Sequence, residues 1–276
     1  MIATLRTDTP AVAIQPSTIR PRQAGFVRDV TAIAGRALRA IPRDMTAVIP
    51  PVFIALFFFV VNIATLQRLT EHSIAGFDFK AFMMATAILL GVTGVSRAPA
   101  VVLDVENGYF DRLLLTPVRR LAILLGHMLA DVAVAGALTV PIVALGLALG
   151  VRFEAGPLGV VVFVLLAALW SLAFAGFGYA IALKTGNPAA VNSAFLLFFP
   201  FLFLTSSYVP RSQLSGWLHT VAAWNPVTHL LDGLRSLTTR GWRWDDLGQA
   251  LLAIAVVGLI SMSLCFGALR ARLRQV

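Results

Sequence analysis

The sequence predicts an all-α, polytopic membrane protein with six transmembrane helices. Hydrophobic residues make up 58% of the 276-residue chain and charged residues only 13%, about half the charged fraction of a soluble globular domain. A chain this apolar would expose large hydrophobic patches in water, whereas each span through a bilayer needs roughly 20 apolar residues. Apolar runs of suitable length predict a transmembrane domain over 46–276, with spans at 46–66, 79–97, 121–150, 157–183, 189–208 and 247–268.

The region before the first span is predicted to contain a tail and an amphipathic helix. Residues 1–22 are rich in Pro and Thr, which is typical of a disordered tail. Over residues 23–45, a 100° rotation per residue places apolar side chains on one face and arginines on the other. The apolar face consists of Phe26, Val30, Ile33, Ala34, Ala37, Leu38 and Ile41. Such a helix lies naturally among lipid headgroups, either as a plain anchor or as a lever between a cytoplasmic partner and the first span.

The basic residues predict the orientation, because cytoplasmic loops carry an excess of Lys and Arg. With the N-terminus in the cytoplasm, fifteen of the 22 Lys and Arg residues lie on the cytoplasmic side and seven on the other. This bias favours an even number of spans and two cytoplasmic termini. The net charge of +9 does not indicate a nucleic-acid partner, since the basic residues flank the apolar runs.

The sequence lacks the common motifs of ATP binding and of hydrolytic catalysis. Neither Lys80 nor Lys184 stands in a phosphate-binding G-x-x-x-x-G-K-[ST] pattern, and H-E-x-x-H and G-x-S-x-G are absent. The single cysteine, Cys265, excludes an intramolecular disulfide and a cysteine-based metal site. We therefore predict no catalytic site, no metal site and no cofactor on this chain.

The segment between the second and third spans is charged and reads DVENGYFDRLLLTPVRR from Asp104 to Arg120. Asn107 and Gly108 favour a turn, and the following residues predict a short amphipathic helix that ends at Thr116 and Pro117. A short helix with apolar and acidic side chains suits docking into a groove on another protein. The alternative is a solvated loop with ordinary membrane-flanking arginines.

Polar and aromatic residues within the spans are candidates for a substrate pathway. His127 and Asp131 lie four residues apart on one face of the third span, and an ionisable residue within a span is a functional candidate by default. The alternative is a packing pair that satisfies itself. The fifth span carries phenylalanines that either line a pathway for an amphipathic substrate or face lipid: Phe195, Phe198, Phe199, Phe201 and Phe203.

Residues 209–247 are too polar for a span and too apolar for a free loop. Four of the five tryptophans lie here, at positions 217, 224, 242 and 244, which is typical of an interfacial aromatic belt. Asp232 and Arg235 are three residues apart and can pair on a helix. The region is therefore either an interfacial anchor or part of a gate.

Two motif blocks resemble the type-2 ABC exporter permeases, particularly the daunorubicin-resistance branch. The first is E-x-G-x-x-x-R-L-L-x-T-P-V-x-R from Glu106 to Arg120, and the second is N-P-V-T-x-x-x-x-G-L-R from Asn225 to Arg235. The resemblance extends from about residue 30 to 270. His229 departs from it, because those permeases often have an aromatic residue there.

The resemblance implies a division of labour between this chain and a partner. Residues 104–117 would be a coupling helix in a groove of a separate ATP-binding subunit, present in two copies, which holds the ATP and Mg²⁺. The N-terminal helix would contact the same subunit. The coupling residues would be Asp104, Glu106, Gly108, Asp111, Arg112, Leu113, Thr116, Pro117 and Arg119. Two permeases, identical or homologous, would pair within the lipids of the bacterial inner membrane.

The resemblance also assigns residues 209–247 to short re-entrant helices that cap the extracellular exit. The gate residues would be Trp217, Trp224, Asn225, Pro226, Asp232 and Arg235. The expected function is ATP-driven outward transport of a hydrophobic or amphipathic compound, as in drug export and antibiotic resistance. Three alternatives stay open: export of a lipid or lipid-linked glycan, a proton-coupled carrier that uses His127 and Asp131, and a membrane scaffold without transport.

Overall fold

The computed structural model describes residues 25–43, 48–74, 76–107, 120–196 and 198–273, and within them the regular elements are helices and no strand occurs. The prediction of an all-α fold is confirmed. The α-helices are α1 (Phe26–Ala40), α2 (Ile49–Ser73), α3 (Phe79–Thr93), α4 (Ala98–Glu106), α5 (Arg120–Ala148), α6 (Gly156–Thr185), α7 (Pro188–Leu196), α8 (Phe198–Phe203), α9 (Gly216–Trp224), α10 (Pro226–Thr239) and α11 (Trp244–Leu273). Two 3₁₀ turns lie at Ile41–Arg43 and Arg211–Gln213.

Five stretches of the described residues are long and apolar enough to cross a bilayer. They are Ile49–Ser73, Phe79–Leu103, Leu121–Ala148, Gly156–Thr185 and Trp244–Arg272. The sequence predicts one further span, at 189–208, which is the fifth in chain order. There the structure has the short helices α7 and α8, of 9 and 6 residues. Neither reaches the roughly 20 residues that a single helix needs to span a bilayer.

Helix α3 forms the centre of the bundle. All of its residues except Lys80 are buried, against α2, α5, α6 and α10. A helix that is apolar on every side is stable only when it is enclosed on every side, and the α3 sequence FKAFMMATAILLGVT meets that description. In contrast, α2 buries only Ala55 and Phe59, so most of its apolar surface faces outward.

The second predicted span, 79–97, is helical as far as Thr93, and the candidate span continues to Leu103 across a short break in the helix. Helix α3 ends at Thr93 and α4 begins at Ala98, with the non-helical residues 94–97, here called the junction, between them. Pro99 lies in the first turn of α4, where its missing N–H costs nothing. The junction therefore leaves backbone groups without helical partners, and these need side-chain partners when they are buried.

Helix α1 lies along α5, within the range 23–45 for which the sequence predicts a helix. Ala34 and Ala37 are buried, as expected for the apolar face of an amphipathic helix. The two helices approach closely at Gly126, where an added Cβ would lie 2.7 Å from the Cβ of Ile33. Small residues permit such close approach between helices in membranes.

Candidate functional site

Two buried polar clusters lie towards opposite ends of α3. The junction cluster consists of Arg97, His127, Asp131 and Tyr179. The α10 cluster consists of Thr86, Ser206, Ser207, Asn225 and Arg235. The side chains of both clusters are buried in an otherwise apolar bundle. Because an isolated charge is costly in such surroundings, the partners of each charged group show what the cluster holds together.

Asp131 holds the junction from α5. Its Oδ1 accepts a hydrogen bond from the backbone N–H of Arg97 at 2.9 Å, and its Oδ2 accepts one from the Tyr179 hydroxyl at 2.7 Å. The first bond satisfies a backbone donor next to the start of α4, and the second reaches across to α6. This single carboxyl group therefore connects α5, α6 and the break between α3 and α4.

His127 lies one turn before Asp131, in different surroundings. Its Nδ1 is 2.9 Å from the carbonyl oxygen of Ile123, and its ring lines a cleft beneath α1 together with Arg97. The structure thus separates the two candidate pathway residues. Asp131 is fully enclosed at 0% exposure, whereas His127 borders a cavity.

Arg235 is the centre of the α10 cluster. Its guanidinium donates to Ser206 Oγ and Thr86 Oγ1, both at 3.0 Å, and to the carbonyl oxygens of Phe82 and Ser207, at 3.3 and 3.4 Å. Its Cζ also lies 3.4 Å from the centroid of the Phe82 ring, a cation–π arrangement. These contacts attach α10 to α3 and to the segment that follows α8.

Asp232 and Arg235, which the sequence predicts as a possible pair, are related differently in the structure. Arg235 donates to neutral oxygens, and among the hydrogen bonds of the described residues none joins it to Asp232. The two groups interact electrostatically instead. Burial raises the pKa of the Asp232 carboxyl, while the positive charges of Arg235 and Arg240 oppose that rise.

Asn225, a second predicted gate residue, connects α8 and the residue that follows it to α10. Its side-chain amide donates to the carbonyl oxygens of Phe201 and Leu204, at 2.7 and 3.0 Å, and its Oδ1 accepts from the Val227 N–H at 3.0 Å. It is the N-cap of α10, and Pro226 follows in the first turn, a combination that favours a helix start. The predicted break at Asn225 and Pro226 coincides with the boundary between α9 and α10.

The remaining gate and pathway candidates are mostly at the surface. Trp217 and Trp224 on α9 are 69% and 85% exposed. Phe198 is buried and meets Phe174 edge to face, with centroids 5.5 Å apart. Phe199 is half-buried, and Phe201 is 52% exposed. Phe195 belongs to α7, but its side chain lies outside the described set. The predicted aromatic wall is therefore divided between the core and the surface.

Most predicted coupling residues lie outside the described part of the chain. These are Gly108, Asp111, Arg112, Leu113, Thr116, Pro117 and Arg119. Asp104 and Glu106 belong to the backbone of α4, but their side chains are not described. The structure defines the flanks of this segment, which are the end of α4 at Glu106 and the start of α5 at Arg120.

Sequence reasoning missed Tyr179, Thr86 and the role of the Arg97 backbone. Tyr179 carried a usable signal, because a lone tyrosine within an apolar span needs a partner for its hydroxyl. Thr86 and the junction carried none, since their partners are distant in sequence. Within the described residues, no group of three or more His, Cys, Asp or Glu side chains could hold a metal ion.

Comparison with known proteins identifies the family. The family model for the ABC-2 type transporter matches residues 28–238. The daunorubicin resistance ABC transporter permease protein DrrB1 of Streptomyces coeruleorubidus is 26% identical over 252 residues, covering 88% of this chain and 86% of that protein. The probable doxorubicin resistance ABC transporter permease protein DrrC, from two strains of Mycobacterium tuberculosis, is 24% identical over 220 residues. The match covers 78% of this chain and 79% of DrrC. Since the family model matches most of the sequence, the chain belongs to the ABC-2 type transporter family.

Proposed function

We infer that this chain is the transmembrane permease subunit of an ATP-driven exporter that moves a hydrophobic or amphipathic compound outward. The observation that carries the proposal is the family match over residues 28–238, together with relatives whose names specify resistance to daunorubicin and doxorubicin. ATP and Mg²⁺ bind to a separate subunit, two copies of which act on two paired permeases.

The proposed membrane arrangement has six spans and both termini in the cytoplasm. Residues 188–203, which include α7 and α8, reach roughly 24 Å at 1.5 Å per residue, and the residues up to 208 extend them across a hydrocarbon core of about 30 Å. Together with the five longer candidates, this segment gives six spans, among which it is the fifth in chain order. Helices α9 and α10 then form a re-entrant cap on the extracellular side, and the exposed Trp217 and Trp224 lie at the interface.

The contacts of the two clusters provide a route from the coupling segment to the cap. Residues 108–119 connect α4 to α5, and Asp131 joins α5 to the junction and to α6. The junction continues directly into α3, which Arg235 attaches to α10. A force that displaces the coupling segment therefore acts on a continuous set of packed helices and hydrogen bonds that ends at the cap. Such contiguous, rigid connections can carry coupling between distant sites.

The test replaces Glu106, in the proposed coupling segment, by arginine. The chain is co-expressed with its candidate ATP-binding subunit, and ATP-dependent accumulation of daunorubicin is measured in inside-out vesicles. Glu106→Arg is expected to abolish accumulation and to weaken co-purification of the ATP-binding subunit, because it reverses a charge at the docking surface.

Glu154→Arg is the matched control. It makes the same charge change at an exposed residue between α5 and α6, at the end of the bundle away from the coupling segment. It is expected to leave both accumulation and co-purification unchanged. Normal transport and normal assembly in Glu106→Arg would contradict the proposed coupling.

A further inference from the structure

A cleft of about 580 Å³ separates α1 from the bundle near the junction. Three of the lining residues are alanines, whose short side chains leave the cleft open. Its polar walls are guanidinium and imidazole groups. The lining residues are Arg36, Ala37, Arg39 and Ala40 from α1, Arg97 from the junction, Ala100 from α4 and His127 from α5.

The described lining of this cleft is cationic. Arg36 and Arg39 are exposed residues at its mouth, whereas Arg97 is only 9% exposed. No carboxylate is among the described side chains that line it. Asp131, in contact with the Arg97 backbone, has both oxygens engaged by the Arg97 N–H and the Tyr179 hydroxyl.

Arg97 gives the cleft a specific requirement. Its Nε is buried and has no hydrogen-bond partner among the described residues. A buried cationic donor without an acceptor is costly, and proteins normally supply one. Because Arg97 also lines the cleft, a phosphate group there would meet its guanidinium group, whose donor geometry phosphate oxygens match.

The location favours a lipid phosphate over a free one. Helix α1 is a basic amphipathic helix, which lies in the headgroup layer, and basic pockets on the cytoplasmic side of transmembrane helices attract anionic headgroups. Leu103 on α4 and Leu121 on α5, from the same helices as Ala100 and His127, are 49% and 46% exposed. Exposed apolar side chains on these helices suit contact with lipid, which inorganic phosphate does not bring.

We propose that the cleft between α1, the junction and α5 binds the phosphate group of an anionic phospholipid. A bound headgroup accepts hydrogen bonds from Arg39 and Arg97 at the same time, and so bridges α1 to the start of α4. Helix α4 directly precedes residues 108–119 in the chain. The bound lipid therefore stabilises the position of α4 relative to α1. The proposal depends on α1 lying at the membrane surface and is independent of what the protein transports.

The test measures lipid binding to the purified full-length chain by native mass spectrometry. Phosphatidylglycerol is titrated against phosphatidylcholine with the same acyl chains. One saturable site that prefers phosphatidylglycerol is expected. Arg39→Gln and Arg97→Gln are each expected to weaken its binding about tenfold or more, the effect of losing one charge-assisted hydrogen bond. The Arg97 N–H bond to Asp131 belongs to the backbone and is retained in Arg97→Gln, and Arg39→Gln changes an exposed residue, so both variants are expected to fold, which thermal unfolding of each purified variant checks.

Arg28→Gln is the matched control, because it removes the same charge from an exposed position of α1 outside the cleft. It is expected to bind phosphatidylglycerol like the unaltered chain. Equal weakening in Arg28→Gln and Arg39→Gln would show diffuse surface attraction and overturn the proposal. Displacement of the lipid by millimolar inorganic phosphate would identify a free anion as the ligand and also overturn it. Since the assay contains neither ATP nor substrate, a failure of the proposed export leaves its outcome unaffected.

Discussion

The junction cluster and the α10 cluster solve the same structural problem with charges of opposite sign. Each stabilises an interruption between helices inside an apolar bundle, where backbone groups have lost their helical partners. At the junction, beside the start of α4, the unpaired group is an N–H, and the carboxyl group of Asp131 accepts from it. In the last turn of α8 and just beyond it the groups are carbonyls: those of Phe201 and Leu204 accept from Asn225, and that of Ser207 accepts from Arg235.

The clusters differ in how many contacts depend on one side chain. Asp131 accepts two hydrogen bonds, whereas Arg235 donates four and also lies over the Phe82 ring. Loss of Arg235 should therefore release more of the structure than loss of Asp131.

Arg235→Met is expected to destabilise the protein most. Methionine preserves much of the apolar bulk but removes four buried hydrogen bonds and the contact with the Phe82 ring, a loss of roughly 3–5 kcal/mol by analogy with a broken buried charge interaction. Detergent-induced unfolding of the purified chain measures it. Arg240→Met is the control, because Arg240 is half-exposed and its ion pair with Asp246 lies near the surface, where such pairs contribute about 1 kcal/mol or less. Equal losses of stability in the two variants would contradict the central role of Arg235 in the α10 cluster.

Asp131→Leu is expected to lower the free energy of unfolding by roughly 2–4 kcal/mol, because the Arg97 N–H and the Tyr179 hydroxyl both lose their acceptor. Asp131→Asn retains one carbonyl oxygen for the Arg97 N–H and should lose about half as much. A double-mutant cycle of Asp131→Asn with Tyr179→Phe measures the link between α5 and α6, with an expected coupling energy above about 0.5 kcal/mol. Additive losses in the cycle would mean that the two residues act independently.

Gly126→Ala tests whether α1 is fixed against the junction side of the bundle. The added methyl group would lie 2.7 Å from the Ile33 Cβ and 3.1 Å from the Val30 carbonyl oxygen, so α1 must shift. A loss of about 1–2 kcal/mol is expected from this overpacking, after the gain in helix propensity. Gly136→Ala in the same helix meets only Val164, at 3.8 Å, and should be neutral or stabilising. Thermal unfolding compares the pair, and a neutral Gly126→Ala would show that α1 packs loosely.

Asn225→Ala is expected to cost about 1–2 kcal/mol, since it removes the cap of α10 and two bonds to carbonyl oxygens. Ser215→Ala is the control, because Ser215 stands at the N-cap of α9 without a side-chain capping bond. It should change the free energy of unfolding by less than about 0.5 kcal/mol. Similar effects of the two substitutions would show that the side-chain hydrogen bonds of Asn225 contribute little to stability.

Local sequence patterns predicted the helices of the fold. The two polar clusters could be predicted only in part, because their members are distant from one another in the sequence. The apolar runs and the amphipathic face that includes Ala34 and Ala37 depend on composition and periodicity, which a sequence displays. Arg235 suggested a partner three residues away, yet the oxygens that it contacts belong to residues up to 153 positions distant. Asp131 was recognised as exceptional within a span, but Tyr179 lies 48 residues further along. No periodic pattern encodes which distant residue completes a buried hydrogen bond.

The source of energy for transport tests the proposed function most directly. Daunorubicin accumulation is measured in proteoliposomes that contain this chain and its candidate ATP-binding subunit, with either ATP and Mg²⁺ or an imposed pH gradient. Accumulation is expected to require ATP, Mg²⁺ and the ATP-binding subunit. The pH gradient alone is expected to give no more accumulation than in protein-free liposomes, where a weak base such as daunorubicin is trapped without a carrier. Accumulation driven by the pH gradient in the absence of ATP, and lost in Asp131→Asn, would contradict the proposed function and identify a proton-coupled carrier.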